Sequence, residues 1–377
     1  MTTRDAVAIY GATGRLGGLV SRDLAAAGVP LRLGGRDPGR LALAGANLPV
    51  SVVRHATPID DPSALRGLLA GCRVVVNAAP IAVGESLAAA AIDAGVHYVD
   101  AAGSQPFIRR IFDCHGQAAA RQGVALAPSF GLDCALGDCL ARLAARGREP
   151  AREVVVAYAI AGADVGSNSL QHAAETLGGG EVLFEQGQWR PLGFEIFRRS
   201  IEFPPPFGRQ PMARYGAGEI VTVPRHTRTE AVTALITASS LVPHPALVPW
   251  FPYLRPAVAV ARRTPARHLF GLALRLRPSP VPGPAPSASR PPRFAIVVLV
   301  EGEDGSRSRG VIEGGDYHRV TAATLAAGAR ALLSPSFEGR GALPPSSVVD
   351  PAALLDGLRD VGVTWAIRST DTAPRTP

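Results

Sequence analysis

From Asp5 to Ser129 the chain alternates short, nearly uniform apolar runs with longer Ala/Leu-rich stretches of helical period. AVAIY (Ala6 to Tyr10), LRLG, PVSVVRH, RVVVNAA, VHYVDAA and VALAPS read as buried strands. Between them GGLVSRDLAAAG, stopped by Gly28, PSALRGLLAG, ESLAAAAIDAG and FIRRIFDCHGQAAARQG read as helices. Strands that are apolar on both faces and alternate with helices of this length predict an α/β fold, a doubly wound parallel sheet. Right-handed crossovers then bring every strand's C-terminal end to one edge, where ligands bind.

The texture changes after Gly131. LDCALGDCLARLAARG predicts a linking helix, REVVVAYAIAG a strand, and the region from about Ser169 to Leu177 a helix. GEVLFEQGQWRPL predicts a hairpin turning at Gly187, EIVTVPRHT and AVTALITAS two further strands, and RFAIVVLVEGEDGSRSRGVIEG a late hairpin around Asp304 and Gly305. This predicts an inserted α+β second domain with a mostly antiparallel sheet over residues 131–319. The first domain, 1–130, is expected to be rejoined by C-terminal helices within 320–368, including VTAATLAAGARALLS and PAALLDGLRDVG, before a disordered tail at 369–377.

Composition narrows the chemistry. Lysine is absent, which excludes Schiff-base and P-loop lysine mechanisms. Cys72, Cys114, Cys134 and Cys139 show no paired spacing and are expected as buried free thiols, and no metal is predicted. Residues 1–10 lack the order of a signal peptide and no apolar run is long enough to span a bilayer, so a cytoplasmic protein is expected. The net charge of +8 is matched by eight arginines between Ala231 and Val300, where no acidic residue occurs. They surround a Pro/Arg-rich insert at 243–292, in which Ala266 to Arg277 would form a basic amphipathic helix. Its open readings are docking of an acidic acyl carrier protein, cover for an acyl chain by Leu269, Phe270 and Leu272, peripheral membrane contact through 255–277, or a solvated loop. Interleaving with proline and leucine rather than stacking aromatics argues against nucleic acid.

GATGRLG places Gly11, Gly14 and Gly17 between the first predicted strand and the first predicted helix. Gly11 permits a tight turn, Gly14 a close backbone approach, and Gly17 close helix–strand packing. The main chain from Gly11 through Thr13, Gly14, Arg15 and Leu16 to Gly17 would then meet a pyrophosphate at the helix N-terminus. At the end of the second strand Arg36 is placed to bind a 2′-phosphate, with Arg15 or Arg40 as a second contact, which selects NADP(H). The alternative is a solvated Arg36 with Asp37 on the ribose of NAD. Asn77, Ala78, Ala79 and Pro80 should line the crevice near the nicotinamide ribose. Asp100 and Asp133 reach the same edge, where each either orients substrate and relays a proton or caps a helix, while His97 on the other face is structural.

These segments, with VVVNAAPIAVGESLAAAAIDAGVHYVDAAG and GVALAPSFGLDCALGDCLA, resemble the saccharopine dehydrogenase-like oxidoreductases, in particular the bacterial branch that includes trans-acting enoyl reductases. The resemblance covers residues 5–145 and again 293–362. It implies a Rossmann-type domain, an inserted substrate domain, NADP(H) as cofactor, and Arg36 as the phosphate arginine. Two departures stand out: Ser104 where the branch commonly has an acidic residue, and DCA at Asp133 to Ala135 where saccharopine-forming enzymes usually have DPG. GSNSLQHAAE, Gly166 to Glu175, occupies the place of a Ser/Gly/Thr-rich turn, so that His172 is either a proton donor in the cleft or a surface histidine. The expected activity is an NADPH-dependent reduction of an activated C=C, enoyl or carrier-bound, or of a C=N. The alternatives are a non-catalytic NADP(H) sensor and a saccharopine-type imine reductase acting on an amino acid.

Overall fold

The computed structural model describes residues 5–161, 181–193, 197–240 and 293–369. The segment around His172, the helix near Ser169, the insert at 243–292 with its amphipathic stretch, and the tail from residue 370 lie outside the described residues.

Strands are numbered along the chain. The first sheet holds β1 (Ala6–Tyr10), β2 (Leu31–Gly35), β3 (Val52–Ala56), β4 (Cys72–Asn77), β5 (His97–Asp100), β6 (Ala125–Ala127) and a two-residue β15 (Gly341–Ala342). Their order is β15-β6-β5-β4-β1-β2-β3, with every pairing parallel. Helices α1 (Arg15–Ala26), α2 (Pro38–Leu43), α3 (Pro62–Leu69), α4 (Gly84–Ala94), α5 (Gln105–Arg110) and α6 (Gly116–Gln122) connect the strands. The apolar runs are explained by cover on both faces. Val7, Ile9, Leu31, Leu33, Val74 and Val76 pack under Val20 and Leu24 of α1. The alternate residues Ala8, Tyr10, Val75 and Tyr98 pack under Leu65 and Leu68 of α3 and Leu87 of α4. Strand order reverses between β1 and β4, and the crevice at that point opens at the strands' C-terminal ends.

The predicted helix from Phe107 to Gly123 is interrupted. Between α5 and α6 a π turn covers Ile111–His115, and a side chain on Gly116 would press on Ala342 of β15. Three of the four cysteines are buried as expected, whereas Cys114, within the π turn, is exposed.

Helix α7 (Leu132–Ala145) leads into the second sheet. It contains β7 (Ala151–Ala161), β8 (Val182–Glu185), β9 (Gln188–Pro191), β10 (Arg199–Glu202), β11 (Arg209–Arg214), β12 (Val232–Thr237), β13 (Arg293–Gly302), β14 (Arg307–Gly314) and β16 (Thr364–Ser369). The main path runs β10-β11-β12-β7-β13-β14-β16, with β8 and β9 attached through β12. It is antiparallel apart from β12 on β7, matching the expected α+β character. Leu136 and Leu140 of α7 bury against Val154, Val156, Ile296 and Val298 on one face. The β8–β9 hairpin turns through Gln186 and Gly187, both with positive φ, as a two-residue hairpin loop requires.

Two predicted elements are corrected. EIVTVPRHT is no strand but a short helix, Glu219–Thr222, followed by a 3-10 turn, Val223–Arg225. Residues 219–223 are all buried, so no exposed face exists to alternate with, and Pro224 removes a ladder donor. Within 320–368, expected as helices, Thr364–Ser369 forms β16 on the outer edge of β14. Trp365 and Ile367 are half-buried there between exposed neighbours, a period of two.

Of the C-terminal helices, Tyr317–Leu333 reaches the first sheet, whereas Leu355 and Leu358 of PAALLDGLRDVG, expected to do the same, bury in the core on the second sheet. Asp316 caps the helix Tyr317–Leu333, accepting from the backbone N–H groups of His318 and Arg319 at 3.0 and 3.1 Å. Leu325, Ala329 and Leu332 then join the α1 side of the core, and Arg319 pairs with Asp23. No helix among the described residues is long and apolar enough to cross a membrane.

A buried polar joint fastens these parts. Asp138, in the middle of α7, accepts from Ser346 N–H at 2.9 Å and lies 2.8 Å from His226 Nε2. Burial alone would raise its pKa, but His226 and the hydrogen bonds from Thr222 and Ser346 outweigh it and hold the carboxyl below its ordinary value. A depressed carboxyl contributes stability above its unfolded pKa and loses it as pH falls through the folded one. Asp138→Ala is therefore expected to cost about 3 kcal/mol in urea unfolding, because it strands the joint's buried partners. The advantage of the wild type over Asp138→Asn should be complete above about pH 4 and shrink below it. An advantage that is constant through that range would contradict the assignment.

Candidate functional site

The turn from β1 into α1 is built on backbone contacts. Gly11 has φ +86°, and a Cβ on it would lie 2.7 Å from the Ala79 nitrogen. A Cβ on Gly17 would collide with the Gly11 carbonyl oxygen, so the helix can start this close to the strand only without a side chain there. At Gly14, the N-cap of α1, the nearest atom to such a Cβ is the Gly11 oxygen at 3.4 Å, and the outward side is open. The first turn of α1 has no capping side chain and no acidic residue. Its N–H groups and helix dipole are thus directed at whatever anion sits over Gly14 and Arg15.

Beyond β2, Arg36 is exposed, and its charge reaches the Tyr10 hydroxyl, whose pKa is raised mainly by burial and partly offset by Arg36. Asp37 is occupied: its Oδ1 accepts from Arg40 N–H at 3.0 Å as the N-cap of α2. Arg40 in turn donates to the Thr13 carbonyl at 3.3 Å. After β4, Ala78 N–H donates to the Tyr10 carbonyl and Asn77 Oδ1 accepts from Ala79 N–H, at 2.9 and 3.0 Å. Asn77 Nδ2 donates to the Tyr98 hydroxyl at 3.3 Å.

A cavity of about 450 Å³ opens from this turn along the strand ends. Leu16, Asn77, Ala79 and Pro80 line it together with Asp100, Ser104, Phe107, Asp133 and Tyr317. Residues expected to serve the cofactor and both suspected aspartates thus meet in one space.

Asp100 is buried and caps no helix. Oδ1 accepts from Ala102 N–H at 2.8 Å and Ser129 N–H at 3.0 Å, and Oδ2 accepts from the Tyr98 hydroxyl at 2.7 Å. Burial raises its pKa, against the lowering effect of those three donors. The neighbouring Ser129 holds φ +71° and Phe130 N–H donates to the Asp100 carbonyl at 2.6 Å. The carboxylate therefore orients two crevice loops.

Asp133 stands at the second position of α7, where Gly131 is the N-cap. Its carboxylate is wedged between two backbones: a Cβ on Gly131 would lie 2.6 Å from Oδ1, and one on Gly103 would overlap Oδ2. Tyr317 donates its hydroxyl to Asp133, and burial, followed by the charge of Asp133, keeps the phenol far above its ordinary pKa. Tyr317 was not visible as a site residue in the sequence. The available signal was its place directly after the capping Asp316, at the start of a helix returning to the first domain.

Behind this wall Tyr158 donates to buried Glu219, whose carboxyl is pushed well above its normal range, chiefly by burial. Gly137 on α7 leaves room for both groups. Gln105 ties α5 to the second sheet, donating to the Val182 carbonyl at 3.1 Å and accepting from Val182 N–H at 2.7 Å. His97 lies on the far face of β5, accepts from Ala125 N–H at 2.9 Å, and is held neutral by burial and Arg73 with a pKa pushed down to about 4.

Residues 7–128 match the family model described as the saccharopine dehydrogenase NADP binding domain. The whole architecture is similar to apo saccharopine dehydrogenase (L-Glu forming) from Saccharomyces cerevisiae, with a TM-score of 0.59 and 14% identity over 97% of this chain and 100% of the yeast chain. At that identity the likeness is one of fold. Serine dehydrogenase from Escherichia coli is similar over 33% of this chain and 80% of its own, with 12% identity and a TM-score of 0.26. No curated protein matches the sequence. The family match thus falls within the first domain and includes the turn at Gly11 to Gly17.

Gly17→Ala is expected to push α1 off β1. It should lower the melting temperature by several degrees, equivalent to about 1–3 kcal/mol, and weaken NADP binding at least tenfold. Unchanged binding by calorimetry would contradict the role given to that contact.

Proposed function

We propose that this protein is an NADPH-dependent reductase of activated double bonds, either a conjugated C=C or a C=N, with residues 7–128, which match an NADP binding domain, holding the cofactor. The observation that carries the reading is the cavity that starts at Leu16 on the phosphate cradle and ends at Asp133 and Tyr317. A dinucleotide whose pyrophosphate rests on the first turn of α1 directs its nicotinamide half into that space.

The residues present fit the phosphorylated cofactor. Arg36 is exposed where the adenosine ribose falls, and Asp37, the carboxylate that would otherwise take the ribose hydroxyl, is committed to capping α2. When bound, NADPH supplies a hydride to the substrate. The chain's own work is to position the two partners, keep water away and provide one proton. The open cavity favours this reading over a sensor, in which packed side chains would cover the nicotinamide. Leu16, Ala79, Pro80 and Phe107 supply the apolar surface, and Ser104, Asp133 and Tyr317 the polar groups.

Two outcomes follow. Arg36→Ala should weaken NADPH by about tenfold to a hundredfold, the worth of a charge-assisted contact, and leave NADH within a factor of two or so. Equal losses for the two nucleotides would remove Arg36 from the 2′-phosphate. A panel of conjugated enoyl thioesters and cyclic imines, followed through the absorbance of NADPH, should reveal turnover in one class. NADPH oxidation by neither class would contradict the proposed activity.

A further inference from the structure

Two helices begin on the same cavity. Leu16 in the first turn of α1 and Tyr317 at the start of the helix Tyr317–Leu333 both line it. The second helix packs on α1 and on the β4 and β5 side of the first sheet, and Arg319 grips Asp23 farther along α1. His318 therefore stands between a residue that faces the cavity and one that holds α1. Its backbone N–H donates to the capping Asp316 at 3.0 Å, and its exposed ring meets that of Tyr317 edge to face, 5.7 Å between centroids.

Arg15 comes to the same place from α1. The charges that act on the His318 ring are Arg15 and, more weakly, Asp316 of its own cap, while Arg319 beside it on the helix is neutralised by Asp23. Burial and then Arg15 push the imidazole pKa below its ordinary value, and Asp316 offsets this only in part. Neither helix has an acidic residue in its first turn. Two basic side chains thus meet where two helices present their N-termini, each positive through its own dipole. An anion seated between them relieves that gathering of positive charge.

The cofactor carries two anionic parts, and the basic side chains divide between them. Arg36 follows β2, its charge acting on the Tyr10 hydroxyl, and Arg40 reaches the Thr13 carbonyl. Arg15 instead faces the helix over β4 and β5, and β1 separates those strands from β2. We propose that His318 is a cofactor-binding residue that, with Arg15, holds the diphosphate of the dinucleotide on the side away from Arg36. The inference rests on the NADP(H) reading above. It leaves Arg40 as the second contact for the 2′-phosphate and makes the returning C-terminal helix part of the cofactor site.

Two properties follow from that placement. The diphosphate is common to NADPH and NADH, so Arg15 and His318 add affinity without choosing between them. Phosphate oxygens favour the imidazolium, so binding takes up a proton wherever His318 is neutral beforehand. Affinity then rises as pH falls through the pKa of His318 in the complex, and levels off below its pKa in the free protein.

Binding of NADPH and NADH to the full-length protein is measured by calorimetry between about pH 6 and 8 in buffers of different ionisation enthalpy. The 2′-phosphate of NADPH itself titrates near pH 6, so each variant is read as a ratio to the wild type at the same pH. His318→Gln should weaken both nucleotides by the same factor, about threefold to tenfold at the acid end, and by less than about twofold at the alkaline end. It should also take up fewer protons on binding than the wild type. Arg15→Gln should weaken both nucleotides alike, and His318→Arg, charged throughout, should retain affinity over the whole range. A His318→Gln loss confined to NADPH, a loss independent of pH, or no loss at all would overturn the inference while the selectivity of Arg36→Ala still stands. Failure of the wild type to bind either nucleotide would overturn the cofactor reading as well.

Discussion

The buried carboxylate of Asp100 is the interaction on which the site depends. In a parallel sheet all strands end at one edge, and the loops that leave it carry backbone N–H groups with no strand to pair with. Asp100 answers two of them, at Ala102 and Ser129, with one oxygen and takes the Tyr98 hydroxyl with the other. Hydrogen bonds to a charged acceptor are each worth about 1.5–3 kcal/mol, enough to hold Ser129 in its left-handed conformation. With the loops after β5 and β6 fixed in this way, Gly103 and Gly131 come close enough to grip Asp133.

The rest of the chain completes that edge. Gln105 fastens the start of α5 to β8, and the joint of Asp138, His226 and Ser346 locks α7 to the second domain and to the C-terminal helices. The helix Tyr317–Leu333 is then held against α1 by its apolar face and by Arg319 on Asp23, which sets Tyr317 beside Asp133. The cavity is thus a product of both domains, although most of its lining comes from the first.

What was legible in the sequence is what depends on neighbours along the chain. The parallel sheet follows from runs such as AVAIY and RVVVNA, which are apolar on both faces. The cradle follows from three glycines between strand and helix, each with a local steric reason that the contacts of Gly11 and Gly17 make explicit. Contacts between distant segments were not legible. The glycines around Asp133 lie about thirty residues before it and two before it, and Tyr317 is a further half-chain away. EIVTVPRHT failed because its β-branched residues are buried on every side as a helix, where tertiary packing overrides propensity. TWAIRS carried its period of two in plain view, masked only by the helical texture before it. β10 and β11 are rich in charged and polar residues and gave no apolar signal.

The central claim is that cofactor, Asp133 and Tyr317 share one cavity, and the most direct measurement is the structure of the protein bound to NADP⁺. The account predicts the 2′-phosphate on Arg36, the pyrophosphate over Gly14 and Arg15, and nicotinamide C4 facing the Tyr317 hydroxyl across a gap that one substrate atom fills, about 3–4 Å from each side. A nicotinamide bound outside this cavity, or a C4 face packed against side chains with no room for a substrate, would contradict it.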